Sequence, residues 1–214
     1  NEAVWQALSS STLNNHTAKY YYQDEDGRGG VTATSPNYPI TGYVIKKYNN
    51  PMDAWTGTGA RHIQKAYPII RYAEILLSYA EALNNLTGPH TVELDGQPYT
   101  MSRDKEEIKK AFNQVRYRAG LPGLTANQLN STPEVQKQIE RERMVEFLWE
   151  NRRFYDVRRW GIYEETEQEP IRGMNPDGAT KETYYQRVIP SSSSFLTRVV
   201  DKRSVWVPIP RNEM

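Results

Sequence analysis

"IERERMVEFLWENRRFYDVRRW", residues 139–160, decides how the rest of the chain is read. Its last ten positions hold four arginines, an aspartate and three aromatics. Basic residues interleaved with aromatics are a signature of single-strand nucleic-acid binding. Clustered acids and bases also occur in catalytic sites. The third reading is a helix that must bury its charges. At about 100° per residue, Met144, Val145, Phe147, Leu148 and Trp149 cover more than half the circumference, the pattern of a buried helix. Glu140, Arg143, Glu146, Glu150, Arg153 and Asp156 recur among them at steps of three or four, which sets opposite charges side by side. Buried charges have to be paired, because losing one partner costs about 3–5 kcal/mol. The spacing therefore predicts one long, largely buried helix over 132–160, opened by Thr132 as N-cap with Pro133 and closed by Gly161. Arg143, Arg153 and Asp156 are expected in ion pairs or hydrogen bonds, and the arginines read as internal ties.

The charge balance supports that choice. The 214 residues contain 27 Lys+Arg and 26 Asp+Glu, a formal net charge of +1. Nucleic-acid binders are usually basic overall or along one face, and here each basic cluster has acids beside it. No stretch approaches the roughly 20 apolar residues of a membrane span. The start, Asn1-Glu2-Ala3-Val4-Trp5, has neither the basic region nor the apolar run of a signal peptide. With no cysteine, disulfides, thiolate metal sites and a cysteine nucleophile are excluded. The compartment stays open. Fifteen tyrosines and five tryptophans suit either an irregular core or flat platforms for sugars and peptides.

Outward from the decisive stretch, two further helices are legible. "YPIIRYAEILLSYAEALNNL", 67–86, carries Ala73, Leu76, Leu77, Ala80 and Leu83 at helical spacing, and Gly88-Pro89 ends it. A second, over about 104–119, has the stripe Ile108, Ala111, Phe112 and Val115 and stops at Gly120-Leu121-Pro122. Between them "VELDGQPYTM" reads as a hairpin turning at Asp95-Gly96. Residues 1–66 are loop-rich, with turn signals at Asp24–Gly30, Ser35–Pro39 and Thr56–Gly59. Thr41–Tyr48 reads as a strand. Residues 162–205 are mainly loop, and "VWVPIP" is a short extended tail.

Four blocks then form a recognisable set. Arg71-Tyr72-Ala73-Glu74 leads to Tyr79-Ala80-Glu81-Ala82. Asn113, Val115, Arg116, Arg118, Ala119 and Gly120 end the second helix. Glu142, Arg143, Glu146, Glu150, Arg153, Phe154, Asp156, Arg158, Arg159 and Trp160 follow, then Pro208-Ile209-Pro210. In this order over about 145 residues, they resemble the C-terminal signature of the SusD/RagB-type outer-membrane nutrient-uptake lipoproteins. The resemblance implies a mainly α fold of tetratricopeptide-like helix pairs with long irregular loops and a few short strands. It divides the chain into a loop-rich 1–66, a helical core 67–160 and a loop-rich 161–214 packing on the helices, as one domain. Members are typically more than twice as long, so a C-terminal portion is expected, with a lipid anchor upstream. The implied activity is non-enzymatic capture of oligosaccharide, or of oligopeptide as in RagB-like relatives, at the cell surface. The implied partner is a SusC-like TonB-dependent transporter in the outer membrane. A helical-repeat scaffold binding only protein is the remaining alternative.

Nothing assembles into a catalytic or cofactor set. His16, His62 and His90 are scattered, with no second ligand at zinc spacing. Asp24-Glu25-Asp26-Gly27 lacks the later ligands of a calcium loop. Most carboxylates sit beside arginines, which lowers the pKa that a general acid needs raised. No metal, cofactor or nucleic acid is expected. Sugar rings stack their apolar faces on aromatic planes, and loops commonly carry binding residues. The candidates are Tyr21, Tyr22 and Trp55 first, then Tyr20, Tyr38, Trp5 and Tyr43.

Overall fold

The structure is a computed structural model that describes residues 4–9, 12–17, 27–28, 39–45, 47–48, 50, 53, 59–190 and 198–206. The fold is mainly helical: among the described residues there are seven α-helices and two antiparallel strand pairs. The chain divides into two compact units, Tyr67–Trp160, and Asn1–Ala66 together with Gly161–Met214.

In the helical unit, the first apolar stripe becomes α1, Tyr72–Asn85, with Leu77 and Ala80 fully buried. It starts later than residue 67 because Arg71 is extended and the Ile69 carbonyl accepts a hydrogen bond from Arg152. β3, His90–Leu94, and β4, Gln97–Met101, form the expected hairpin. Asp95 and Gly96 both take positive φ (52° and 72°), as a type I′ turn requires. The Asp104 side chain caps α2, Lys105–Arg118, by accepting from the Glu106 and Glu107 amides. Gly120 at φ 69° closes α2 with a Schellman pair, Leu121 N–H to Arg116 O and Gly120 N–H to Tyr117 O, both 3.0 Å. A capping box of Thr125 and Gln128 holds the single turn α3, Ala126–Leu129. α4, Thr132–Glu146, has Ser131 rather than Thr132 as its N-cap.

One core joins these helices. Leu76, Leu77, Ala80 and Leu83 of α1 meet Ile108, Ala111, Phe112 and Val115 of α2, together with Val135 and Ile139 of α4 and with Phe147. Each buried Leu, Ile, Val or Phe contributes about 1.5–3 kcal/mol before chain entropy is subtracted.

The expected single helix over 132–160 is two helices. α4 ends at Glu146, and α5 runs Arg152–Arg159. Between them Trp149 and Asn151 sit at φ 65° and 59°, left-handed conformations that no helix continues through. Only Phe147 of the apolar run is buried. Met144, Val145, Leu148 and Trp149 are exposed, the last at 60%. The break turns Phe147 into the core and brings Glu150 inward, where it is buried.

The other unit contains β1, Val4–Ser9, antiparallel to β2, Thr12–Thr17, in a register running from Val4↔Thr17 to Ser9↔Thr12. The described residues of the expected strand Thr41–Tyr48, 41–45 and 47–48, do not form a strand. The chain turns at Gly42 (φ 69°), whose N–H bonds to Pro39 O, while Thr41 O accepts from Met174 N–H. Gly173 bridges Val188 through paired backbone bonds of 2.8 and 2.9 Å, and the Tyr184 hydroxyl donates to Gly42 O at 2.6 Å. Short helices α6, Tyr163–Glu167, and α7, Lys181–Tyr184, and a 3-10 turn, Lys202–Val205, interrupt what reads in sequence as loop.

Candidate functional site

The charged residues of the decisive stretch converge in the helical unit. Arg143 reaches Asp156 through Nε–Oδ2 at 2.9 Å and Nη2–Oδ1 at 3.0 Å, and Ser78 Oγ at 3.2 Å. Arg159 grips both oxygens of Glu81 (2.6 and 2.7 Å) and donates to Asp156 Oδ1 at 2.9 Å. Trp160 Nε1 adds a third donor to Glu81 at 2.6 Å. On the other side of Phe147, Arg71 bonds Glu150 at 2.7 Å, the Glu146 carboxylate and the Glu146 carbonyl. Arg118 reaches Glu146 at 2.5 Å, and Arg116 reaches Glu142 at 2.9 Å. The Arg71 and Arg143 guanidinium carbons lie 4.7 and 5.1 Å from the Phe147 ring centroid. Most of these are ties between elements, as the reading of the arginines as internal ties expects, and Arg159–Asp156 is an i,i+3 pair within α5. The break after Glu146 interrupts the helical register of the stretch. Arg153 has no ion-pair or hydrogen-bond partner among the described residues, so its expected tie is absent.

The electrostatics follow from this geometry. Burial pushes the Glu81 carboxyl up, but the bonds from Arg159 and Trp160 outweigh it and hold the group below the usual glutamate range. Burial likewise pulls Arg159 and Arg71 down, and their carboxylate partners more than restore them, so both sit above the ordinary arginine value.

Beside these ties α1 and α5 border an open cleft of about 480 Å³. Its ionic lining is Glu74, Glu81 and Asp156 with Arg143, Arg152 and Arg159, and Asn85 and Tyr155 also line it. Arg152 pairs with Glu74 at 2.8 Å. The Glu81 carboxylate, held ionised by Arg159 and Trp160, accepts hydrogen bonds but makes a poor general acid. Smaller grooves of about 280 and 240 Å³ run between α1 and α2, sharing Tyr72, Leu76 and Gln114.

Of the aromatic candidates, Tyr20, Tyr21, Tyr22, Tyr38 and Trp55 lie outside the described residues. Trp5 lies on β1, opposite His16 of β2. Tyr43 follows the Gly42 turn and is exposed. Among the described residues, no group of three or more His, Asp or Glu is placed to hold a metal ion, and no helix is long and apolar enough to cross a membrane.

The model of the SusD family matches residues 1–214, the whole chain. The chain belongs to the SusD family. A crystal structure of a SusD-like protein from Bacteroides fragilis NCTC 9343 is 32% identical over 68% of this chain, with a TM-score of 0.48. The match covers 23% of that protein, so this chain spans well under half its length. No curated protein matches. The SusD signature now has a physical meaning in this chain. Arg71, Glu74, Glu81, Arg116, Arg118, Glu142, Arg143, Glu146, Glu150, Asp156, Arg159 and Trp160 all belong to the ties, in which each carboxylate is buried or half-buried while Arg118 and Arg159 keep an exposed flank. Pro208-Ile209-Pro210 lies outside the described residues.

Sequence reasoning missed the cleft and with it Asn85, Arg152 and Tyr155. Tyr155 carried a weak signal, an aromatic beside the charged residues Asp156 and Arg159.

Proposed function

We propose that this chain belongs to a non-enzymatic, lipid-anchored protein of the bacterial cell surface that captures oligosaccharide at the outer membrane. It hands the oligosaccharide to a SusC-like TonB-dependent transporter, over which it acts as a lid. The observation that carries the reading is membership of the SusD family along the full 214 residues. The geometry is compatible with capture rather than turnover, since Glu81 is held ionised by Arg159 and Trp160. Ligand contacts come from the aromatics of residues 1–66, led by Tyr21, Tyr22 and Trp55 with Tyr20, Tyr38 and Trp5. Each offers a plane on which a sugar ring stacks, while neighbouring polar groups read its hydroxyls.

The test sets a glycan array against a peptide library, with a transporter pull-down performed in the absence of small ligand. Glycan binding with no peptide binding is expected. Binding of peptides alone would replace oligosaccharide by oligopeptide, and transporter capture with neither ligand would make the protein a scaffold. Hydrolysis of a polysaccharide that one carboxylate substitution abolishes would overturn the non-enzymatic reading.

A further inference from the structure

The cleft beside α1 and α5 carries an inference about ligand chemistry. Its volume, about 480 Å³, lies within the roughly 300–1,000 Å³ of small-molecule sites. Its ionic lining cancels: Glu74, Glu81 and Asp156 against Arg143, Arg152 and Arg159. Every one of those charges has an opposite partner within the protein. An ionic ligand would have to break one of these pairs and leave its partner uncompensated, which disfavours it. A neutral ligand need only add hydrogen bonds to groups already fixed in place, at low ordering cost.

Donor and acceptor capacity remains in the cleft. Arg159 keeps 42% of its side chain exposed, and Asn85 presents an exposed amide. Tyr155, 62% exposed, supplies a flat apolar ring among these polar groups. Paired polar donors and acceptors beside one aromatic plane match a neutral pyranose, whose hydroxyls both donate and accept and whose C–H face is apolar. A charged or purely apolar ligand would use only half of that lining.

We propose that this cleft is a subsite for one or two residues of a neutral oligosaccharide, built from residues other than the aromatics of residues 1–66. The proposal rests on the glycan-capture reading and locates part of it in the helical unit. Two substitutions address it without touching an ion pair. Tyr155→Ala removes the platform, and Ala82→Trp fills the cleft from an exposed position on α1.

The experiment screens the full chain on an array of neutral oligosaccharides, then titrates the tightest binder into the wild type and both variants by calorimetry. Unchanged circular dichroism confirms the fold of each variant. The expected result is about tenfold weaker binding for Tyr155→Ala and a loss at least as large for Ala82→Trp. Wild-type affinity in both variants would overturn the subsite while leaving glycan capture in place. An array on which the wild type binds no neutral oligosaccharide would overturn both.

Discussion

Replacing Asp156 with alanine probes the ties where they are most deeply buried. The Asp156 and Arg143 side chains are only 4% and 5% exposed and share two hydrogen bonds of 2.9 and 3.0 Å. After the substitution Arg159 still has Glu81, and its exposed flank can be hydrated. Arg143 keeps its hydrogen bond to Ser78 at 3.2 Å and the Phe147 ring, neither of which carries a countercharge, and the nearby Glu81 carboxylate is already gripped by Arg159. The dominant cost is thus one buried guanidinium without a carboxylate, about 3–5 kcal/mol. For a chain of this size that lowers the midpoint of thermal unfolding by roughly 6–20 °C. Urea titration followed by far-ultraviolet circular dichroism reads the helical unit, which contains most of the helix. The paired replacement Arg143→Met with Asp156→Leu should recover most of the loss, because a well-packed apolar pair substitutes for a buried ion pair at little net cost. A midpoint unchanged in Asp156→Ala, or a paired variant worse than the single one, would refute the reasoning.

Three other outcomes follow from the same geometry. Because folding holds the Glu81 carboxyl below its ordinary value of 4.5, its stabilisation is complete above that value and is lost as pH falls through the lower folded value. The wild type should lose stability steeply below about pH 4.5, and Glu81→Gln, weaker at neutral pH, should show a flatter acid limb in denaturation midpoints. Asn151 occupies φ 59°, so Asn151→Ala should destabilise by about 1 kcal/mol and Asn151→Gly should be neutral or slightly stabilising in urea titrations. A Cβ at Gly123 would overlap the Asn113 side chain, which accepts from Leu124 N–H at 2.9 Å. Gly123→Ala should therefore cost about 1–3 kcal/mol, measured as a loss of thermal midpoint.

What was legible in the sequence was local. Apolar spacing placed α1 and α2, Asp95-Gly96 placed the hairpin turn, and Gly120 placed the end of α2, because each signal acts within a few residues. The break at 147–151 was not legible. Trp149 gives no hint of a left-handed backbone, and asparagine at 151 tolerates one without requiring it. Arg143 and Arg159 of the decisive stretch were rightly read as ties and Arg153 was not, yet the partners were not visible: Arg143 finds Asp156 13 positions away, and Arg159 finds Glu81 78 positions away. Residue type announces that a buried charge needs a partner, and only the packing of α1 against α2 and α4 says which. The tie residues that carry the family resemblance therefore speak to fold. Ligand chemistry has to be argued from aromatics in the loop-rich segment and from a cleft that exists only once α1 and α5 are in place.

Titration of the protein with an oligosaccharide chosen on the glycan array tests the central claim most directly. Wild type is compared with Tyr21→Ala, Tyr22→Ala and Trp55→Ala. The account predicts saturable binding, weakened by about 1–3 kcal/mol wherever a stacking ring is removed, by analogy with bases stacked on aromatics. It also predicts that the oligosaccharide is recovered intact. Absence of binding to any glycan, or full affinity in all three variants, would contradict it.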